Sequence, residues 1–234
     1  MAHDSTESLF EIVRRGRKTI MTILVVNNDP EFYAGPPEQE LLESLEKNSR
    51  EKAEVISFTD IPRYWNRMQD FNALVLSGSS QDSHSLAEEH KKGSSTLFQN
   101  EMDLIRTCRI PILGICFGHQ LVAHTFGSRI ARLDHRIEGF QDVEILERDE
   151  IFSDWEVGDV ITVLEYHTDY VTELPRDFVC LARSKVCKVE SMRHRSRPIY
   201  TVQFHPETWR EQDTGVTFPE GGKILRSFFE KVCR

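Results

Sequence analysis

One cysteine stands at the point where an apolar run of the sequence meets an amphipathic run. Cys116 follows the apolar residues 111–115 and precedes the amphipathic residues 117–126, with Gly114 and Gly118 on either side of it. Isolated cysteines are most often small buried hydrophobes. Here the flanking glycines allow a tight strand-to-helix turn, the arrangement that exposes the nucleophilic serine of many hydrolases. The spacing predicts a nucleophilic thiol at the carboxyl end of a parallel strand, where a helix N-terminus favours the thiolate.

The chain also offers a base for such a thiol. His205 and Glu207 lie at the end of a predicted strand and are separated by Pro206, whose ring fixes the backbone φ. Residues i and i+2 of an extended chain project to the same side, so the carboxylate of Glu207 can hold the imidazole tautomer of His205. His-x-Glu alone is more often an exposed strand end. Together with the turn at Cys116, it predicts a Cys-His-Glu triad.

These residues must be positioned by an α/β fold, because short apolar segments alternate with helical ones in the first half of the chain. Such alternation indicates an open, mostly parallel, doubly wound sheet with helices on both faces. Residues 61–70 are predicted to be helical or turn-like, and the polar residues 81–96 to form a mobile loop. The predicted strands are 22–26, 53–58, 73–76 and 111–115, and the predicted helices are 38–47, 97–107 and 117–126.

The second half of the chain has a different pattern, with strand-like segments and few helices between them. We interpret these segments as additional antiparallel strands beside the parallel sheet, closed by a last helix over residues 222–232. Residues 1–20 are predicted to be a peripheral N-terminal extension, and residues 21–234 to form one domain. The strand-like segments are 142–146, 160–164, 179–182, 186–192 and 199–204.

Composition narrows the classes of function. The chain has 234 residues, of which 39% are hydrophobic, and this is enough for one sizeable core. The net charge of −9 and the lack of a long basic stripe predict no nucleic-acid partner. The five cysteines include no Cys-x-x-Cys pair, which argues against a disulfide framework and a zinc ribbon and favours a reducing, cytoplasmic setting. No membrane segment, secretory signal, metal site or cofactor is predicted.

Two segments together resemble the class I glutamine amidotransferases. They are residues 114–120 (GICFGHQ) and residues 203–207 (QFHPE), and the resemblance covers most of residues 22–232. Either motif alone is modest support. Both, in this order and about ninety residues apart within one α/β domain, are highly specific.

The resemblance implies a mechanism for the predicted triad. Cys116 would attack the side-chain amide of glutamine to give a γ-glutamyl thioester and ammonia, and water would then release glutamate. His205 would take the thiol proton and pass it to the leaving amine, and Glu207 would orient His205. The resemblance implies no cofactor.

The resemblance also implies which backbone groups hold the tetrahedral oxyanion. One is the N–H of Phe117, directly after the nucleophile, and the other comes from the turn at residues 77–80, at Gly78 or Ser79. Family members usually have Ser-Gly-Gly-Pro or Ser-Asn-Gly-Pro in this turn, whereas this chain has Ser-Gly-Ser-Ser. The usual donor glycine aligns with Ser79, and any non-proline residue supplies an N–H.

Three further residues are implied to contact the substrate. Gln120 matches the family glutamine that helps to bind it. Residues 166–171 match a substrate-facing segment of the form His-x-x-x-Val, which makes the backbone near His167 and Thr168 a candidate for holding the α-amino acid end. A loop-capping role for His167 is an equally good interpretation of the sequence.

Three functions remain open at this point. The first is a free-standing glutaminase subunit, similar to those of the guanylate (GMP) and anthranilate synthases, that passes ammonia to a separate synthase chain, because no Walker loop or synthase domain is visible in the sequence. The second is a stand-alone hydrolase of γ-glutamyl compounds, similar to γ-glutamyl peptidases, which the unusual turn at residues 78–82 favours. The third is a non-catalytic regulatory domain, which the intact triad disfavours.

Overall fold

The computed structural model describes residues 22–29, 36–93, 96–208 and 217–233. The predicted extension over residues 1–20 lies outside these ranges, so its separation from the domain stays a prediction. Within them the chain forms one nine-stranded sheet and six α-helices. No helix in the described ranges is both long and apolar enough to cross a lipid bilayer.

The elements alternate as predicted in the first half and become mostly strands in the second. Short 3₁₀ turns at Phe58–Asp60 and Trp65–Asp70 flank the helix Ile61–Tyr64, and a π-helical turn at Phe228–Val232 continues the last α-helix. The strands are β1 (Thr22–Asn27), β2 (Lys52–Ser57), β3 (Ala73–Leu76), β4 (Ile112–Ile115), β5 (Ile130–Ile145), β6 (Val160–Val171), β7 (Phe178–Arg183), β8 (Ser191–His194) and β9 (Ile199–Val202). The helices are α1 (Pro36–Ser49), α2 (Ile61–Tyr64), α3 (Ser83–Lys91), α4 (Gln99–Thr107), α5 (Phe117–Thr125) and α6 (Glu220–Ser227).

The sheet has a parallel half and an antiparallel half. Its strand order is β2-β1-β3-β4-β9-β8-β7-β5-β6. The first five strands of this order pair in parallel, and the remaining pairs are antiparallel. The predicted fold class is therefore confirmed. Strand β9 joins the two halves and pairs with β4, so the strand that leads to His205 lies beside the strand that leads to Cys116.

Each face of the sheet is covered by its own apolar cluster. On β1, Leu24 and Val26 point into the cluster that includes α4 and α5. Ile23 and Val25 point to the opposite face, where α1 and α6 pack. These side chains are all at most 2% exposed. Because strands buried on both faces must be apolar throughout, the continuous hydrophobic runs of the first half predicted this arrangement correctly.

The sequence-based prediction was wrong for residues 81–96. A mobile loop was predicted, but residues 83–91 form α3. The helix has an N-cap, because the carboxylate of Asp82 accepts a hydrogen bond from the backbone N–H of Ser85 at 2.8 Å. Its sequence is mostly polar, with one fully buried apolar side chain, Ala87. A helix stabilised by its cap and by two neighbouring elements gives little amphipathic signal.

The antiparallel strands also differ from the prediction in length and position. Strands β5 and β6 form a long hairpin over Ile130–Ile145 and Val160–Val171, whereas only 142–146 and 160–164 were predicted. Exposed and half-buried charged residues hide the alternation over much of β5. Strand β8 begins at Ser191, not at Val186. The extra length of β6 brings it to the end of the parallel strands, because Leu164 pairs with His205 and residues 165–169 continue the strand from there.

Glu101 on α4 is a buried acid that makes the stability of the fold depend on pH. It is fully buried, and burial raises its pKa to about 8, against a smaller lowering by the neighbouring side chain of Asn28. The folded protein therefore binds one more proton than the unfolded chain between pH values near 4.5 and 8. This contribution to stability is fully present at the acidic end and is lost as the pH rises through the folded-state pKa.

We expect Glu101→Gln to be more stable than the wild type at pH 9, by roughly 3 kcal/mol, and to lose most of that advantage at pH 5. Urea unfolding at the two pH values measures the difference. Glu89→Gln, on an exposed position of α3, is the matched control and should shift stability little at either pH. An equal difference between Glu101→Gln and the wild type at both pH values would contradict the assignment of a buried, proton-binding carboxyl.

Candidate active site

Cys116 occupies a strained turn between β4 and α5. Its backbone has φ 50° and ψ −101°, a conformation that L-residues rarely adopt and that costs about 1–3 kcal/mol. Its N–H donates to the carbonyl of Val202 on β9 at 2.9 Å, which ties the turn to the neighbouring strand. The side chain is 6% exposed and lies at the N-terminus of α5. The structure therefore places the cysteine where the sequence predicted it.

The two glycines beside Cys116 allow close packing and do not themselves adopt the unusual φ. A Cβ on Gly118 would lie 2.5 Å from the carbonyl oxygen of Leu76, and one on Gly114 would lie 2.8 Å from the carbonyl oxygen of Gly118. The positive φ is at Cys116 instead. The glycines therefore let α5 approach β3 and β4, and this approach determines where the sulfur lies.

His205 and Glu207 form the pair predicted from their spacing. Nδ1 of His205 lies 2.8 Å from Oε1 of Glu207, and the Glu207 side chain is 9% exposed. The backbone N–H of His205 donates to the carbonyl of Leu164 on β6 at 2.8 Å. The carboxylate accepts from Nδ1–H, and Nε2 is buried with no hydrogen-bond partner among the described residues. That nitrogen is the one left to exchange a proton.

The imidazole of His205 is placed against the thiol. Burial alone lowers the pKa of His205, but the charges of Glu207 and Cys116 outweigh burial and raise the pKa well above its ordinary value. The site therefore stabilises an imidazolium beside the sulfur. Gly78 lies against both groups, because a Cβ on it would be 3.2 Å from Cε1 of His205 and 3.7 Å from Cβ of Cys116.

The turn that carries Gly78 is hydrogen-bonded to the N-terminal turn of α5 and to Asn28, which follows β1. The carbonyl of Ser77 accepts from the backbone N–H of Gly118 at 3.2 Å and from the side-chain amide of Asn28 at 3.0 Å. The hydroxyl of Ser79 donates to the carbonyl of Asn28 at 2.7 Å and accepts from the N–H of Gln81 at 3.0 Å. The serine that replaces the usual glycine thus supports the loop with its side chain. Phe117 begins α5, so its N–H has no acceptor within the helix.

Two of the predicted substrate residues, Gln120 and His167, have side chains that are hydrogen-bonded to other residues of the protein. Gln120 is 4% exposed, and its amide is hydrogen-bonded to Ser83, Asp169 and Gln203. His167 is 6% exposed, and its Nδ1 lies 3.0 Å from the carbonyl of Asp169.

The other ring nitrogen of His167, Nε2, lies 3.1 Å from Glu165. Thr168 is half-buried on the opposite face of β6. The predicted roles of Gln120 and of the backbone near His167 and Thr168 in binding the substrate stay predictions.

Two groups that the sequence analysis did not assign approach the sulfur of Cys116. The carbonyl oxygen of Tyr166 lies 3.9 Å from Sγ, and Nε2 of Gln203 lies 3.8 Å from Sγ. Tyr166 depends on how the β5–β6 hairpin crosses the sheet, which the sequence does not reveal. Gln203 was part of a noted motif, and its spacing of two from His205 is the signal that could have identified it.

The sequence matches the model of the family "Glutamine amidotransferase class-I" over residues 38–229. The chain belongs to the class I glutamine amidotransferase family. Among its relatives is a subunit of the glutamine-hydrolysing GMP synthase of Methanothermobacter thermautotrophicus, which is 38% identical over 135 residues, or 58% of this chain and 67% of the relative. A protein of the same name from Archaeoglobus fulgidus is 34% identical over 170 residues, or 72% of this chain and 79% of the relative.

This chain matches a smaller share of some other relatives. The GMP synthase subunit from Pyrococcus abyssi is 44% identical, and the match spans 61% of that protein. Two crystal structures share the fold. A Thermoplasma acidophilum protein described as a GMP synthase subunit has a TM-score of 0.71 and 29% identity, covering 92% of this chain and 94% of that one. A glutamine amidotransferase from Thermotoga maritima has a TM-score of 0.71 over 92% of this chain and 99% of that one, and its 19% identity supports the fold alone.

A second group of titratable side chains is buried near His205 in this amidotransferase. Glu165 and Glu190 are each 1% exposed and line a cavity of about 200 Å³ together with His167. Burial raises the pKa of Glu165 to about 7, and burial together with the charge of Glu165 raises the pKa of Glu190 well above its ordinary value. The pair therefore retains a proton near neutral pH. Within the described ranges no three His, Cys, Asp or Glu side chains are grouped to hold a metal ion.

Proposed function

We propose that this amidotransferase is a free-standing glutaminase, which hydrolyses the γ-amide of glutamine through a γ-glutamyl thioester on Cys116. The observation that supports the proposal is that His205, paired with the carboxylate of Glu207, lies close to Cys116, since a Cβ on Gly78 would be within 3.7 Å of both residues. A buried thiol facing an imidazolium, at the N-terminus of a helix, has the environment of a reactive cysteine.

In the first half of the proposed reaction, the thiolate of Cys116 attacks the amide carbon, forming a C–S bond. The oxyanion lies near the N–H of Phe117 and the turn at Gly78 and Ser79. His205 gives its Nε2 proton to the amide nitrogen as the C–N bond breaks and ammonia leaves.

In the second half, His205 takes a proton from water, which attacks the thioester carbon. The C–S bond breaks, glutamate leaves, and the proton on His205 restores the thiolate–imidazolium pair. Glu207 keeps the ring oriented and stabilises its charge in both halves.

The proposed partner is a separate synthase chain that consumes the ammonia. The relatives reported above carry the name of one GMP synthase subunit, so a second GMP synthase subunit is the partner we propose. All five cysteines are free thiols in the structure. Free thiols persist in reducing compartments, which supports a cytoplasmic location as part of the same proposal.

A stand-alone γ-glutamyl hydrolase is the second candidate, and one observation favours it. The turn over residues 77–80 has Ser79 and Ser80 where family members usually have Gly-Pro, and both hydroxyls bond to residues 28 and 29. A reshaped loop beside the nucleophile can alter which leaving group is accepted. The chemistry at Cys116 would be the same.

The deciding experiment compares two substrates with the isolated chain and with an added synthetase subunit of GMP synthase. We expect ammonia release from glutamine, faster when the partner is present, and stoichiometric labelling of Cys116 by a glutamine-like chloroketone. Cleavage of a γ-glutamyl dipeptide in preference to glutamine would favour the second candidate. An unlabelled Cys116 with no turnover of either substrate would indicate a non-catalytic domain and overturn the proposal.

Gly221 provides a test of how the histidine segment is positioned. A Cβ on Gly221 would lie 2.3 Å from the carbonyl oxygen of Pro206, the residue between His205 and Glu207. Because backbone cannot yield as a flexible side chain does, Gly221→Ala must displace the segment that carries the base.

We expect Gly221→Ala to lower kcat/KM for glutamine about 10²-fold, since displacements of the order of 1 Å are costly at a reacting centre. The matched control is Gly222→Ala, where the nearest atom to a Cβ is Oδ1 of Asn48 at 3.6 Å. Similar activity of the two variants, both folded, would refute this positioning role.

A further inference from the structure

Gln203 is a fully buried carboxamide whose orientation is determined by its partners. Its Oε1 accepts from Nε2 of Gln120 at 3.1 Å, so its own Nε2 is the atom that faces Sγ of Cys116, at 3.8 Å. Turning the amide over would set two N–H groups against each other and leave an oxygen against the sulfur. Its backbone N–H also donates to the carbonyl of Glu190 at 2.7 Å, which fixes the base of the side chain.

The orientation of Gln120 is fixed in the same way. Its Oε1 accepts from the hydroxyl of Ser83 at 2.7 Å, and its Nε2 donates to the carbonyl of Asp169 at 2.7 Å as well as to Gln203. The carbonyl of Asp169 can only accept a hydrogen bond, so it fixes which end of the Gln120 amide carries the N–H groups and leaves Oε1 facing Ser83. The direction of each hydrogen bond is therefore fixed from Ser83, through Gln120 and Gln203, to the sulfur of Cys116.

The hydrogen-bond chain continues from Ser83 to the surface. The carboxylate of Asp169, which is 7% exposed, accepts from the backbone N–H of His84 at 3.0 Å, and its Oδ2 lies 3.1 Å from the hydroxyl oxygen of Ser83, whose single proton it shares with Oε1 of Gln120. The guanidinium of Arg132 binds the same carboxylate at 2.8 and 3.1 Å and also reaches Asp82 at 2.7 Å. The Arg132 side chain is 43% exposed. We call the series Arg132, Asp169, Ser83, Gln120, Gln203 the amide relay.

We propose that Gln203 is a positioning residue of this amidotransferase, that its N–H holds the thiolate of Cys116, and that the amide relay fixes it in that orientation. The inference rests on the proposed function only in taking Cys116 as the nucleophile. It adds a neutral donor to the site, besides the imidazole.

The chemistry of the sulfur explains why a neutral donor is needed there. The carbonyl of Tyr166, 3.9 Å away, can only accept a hydrogen bond and so favours the protonated thiol. The N–H of Gln203 favours the thiolate instead, because hydrogen bonds to a charged acceptor are stronger than those to a neutral one. The balance between these two contacts determines what fraction of Cys116 is the reactive thiolate and where its sulfur lies.

Several titratable groups act on the same histidine–thiol pair, and the test must leave them unchanged. They contribute through the charge of the imidazole, whereas Gln203 contacts the sulfur directly. These groups are Glu207 after β9, Glu165 and His167 on β6, and Glu40 on α1, while Glu190, before β8, interacts with Glu165 and His167.

The experiment measures the rate of Cys116 alkylation by iodoacetamide as a function of pH, with the modified peptide resolved by mass spectrometry. We expect Gln203→Met, which keeps the size and removes the N–H, to raise the pH midpoint by about one unit and to slow alkylation about tenfold at pH values below the wild-type midpoint. Gln141→Met, on an exposed position of β5, is the matched control and should leave the midpoint unchanged. An unchanged midpoint in folded Gln203→Met would overturn the proposal, as would an equal shift in Gln141→Met.

Two further variants keep the test decisive. If Gln203→Met does not fold, Gln203→Glu has the same shape and places a carboxylate against the sulfur, so it must raise the midpoint by more than one unit. Arg132→Met, at the surface end of the amide relay, must raise the midpoint by a smaller amount. An unchanged midpoint would show that Arg132 does not help to fix the orientation of Gln203. Alkylation needs no turnover, so a failure of glutamine hydrolysis alone would count against the proposed function and not against the role of Gln203.

Discussion

Cys116→Ala is expected to abolish ammonia release from glutamine, with a loss in kcat of at least about 10⁴-fold, because no other group in the site can form the thioester. The side chain is small and its Cβ is retained, so the fold should persist. Measurements of ammonia release and of the thermal midpoint on the same preparation separate the two effects.

The matched control for this variant is Cys108→Ala. Cys108 is also a buried thiol, but it follows α4 and lies before the start of β4, so the strand separates it from Cys116. We expect it to keep its turnover and to lose a little stability from the smaller side chain. Wild-type turnover in Cys116→Ala would show that the thioester mechanism does not operate here.

His205→Ala is the second change with a large expected effect, a loss in kcat of about 10³- to 10⁴-fold. Without the imidazole, the sulfur has no proton acceptor and the leaving ammonia has no proton donor. Glu207→Gln should retain the ring but not its stabilising charge, so its loss should be roughly tenfold to a hundredfold smaller.

The pH profile distinguishes orientation of the ring from loss of the base. The negative charge of Glu207 raises the pKa of His205, so Glu207→Gln must lower it. The basic limb of the kcat/KM profile, where the imidazolium loses its proton, should therefore move to lower pH in Glu207→Gln. A basic limb that stays at the wild-type position would mean that the profile reports some other group.

Much of the site could be predicted because its key residues lie in contiguous motifs at strand ends. The turn at Cys116 and the i, i+2 spacing of His205 and Glu207 follow from backbone geometry, which a sequence reveals. That β4 and β9 are neighbours does not follow from either strand alone, since both are uniformly buried. The need of a nucleophilic thiol for a base, and then the resemblance to a family, brought the two motifs together; the pattern of the strands did not.

The features that could not be predicted depend on tertiary crossings. The approach of the Tyr166 carbonyl to the sulfur depends on the bulged hairpin of β5 and β6, whose charged outer face conceals its strands. Helix α3 was missed because its stability comes from the cap at Asp82 and from contacts with neighbouring elements. The hydrogen bonds of the buried Gln120 amide to Ser83, Asp169 and Gln203 depend on three segments meeting in the fold, and its role in binding the substrate stays a prediction.

The position of β9 between the two halves of the sheet has a consequence for synthesis on the ribosome. Strands β1 to β4 emerge early with Cys116 already in place, but β4 stays an uncovered apolar edge until Ile199–Val202 has been made. Such an edge is a site for wrong pairing until β9 covers it. The same order of events means that an incomplete chain carries Cys116 without His205, so in the proposed mechanism it is inactive until β9 and the residues after it have been made.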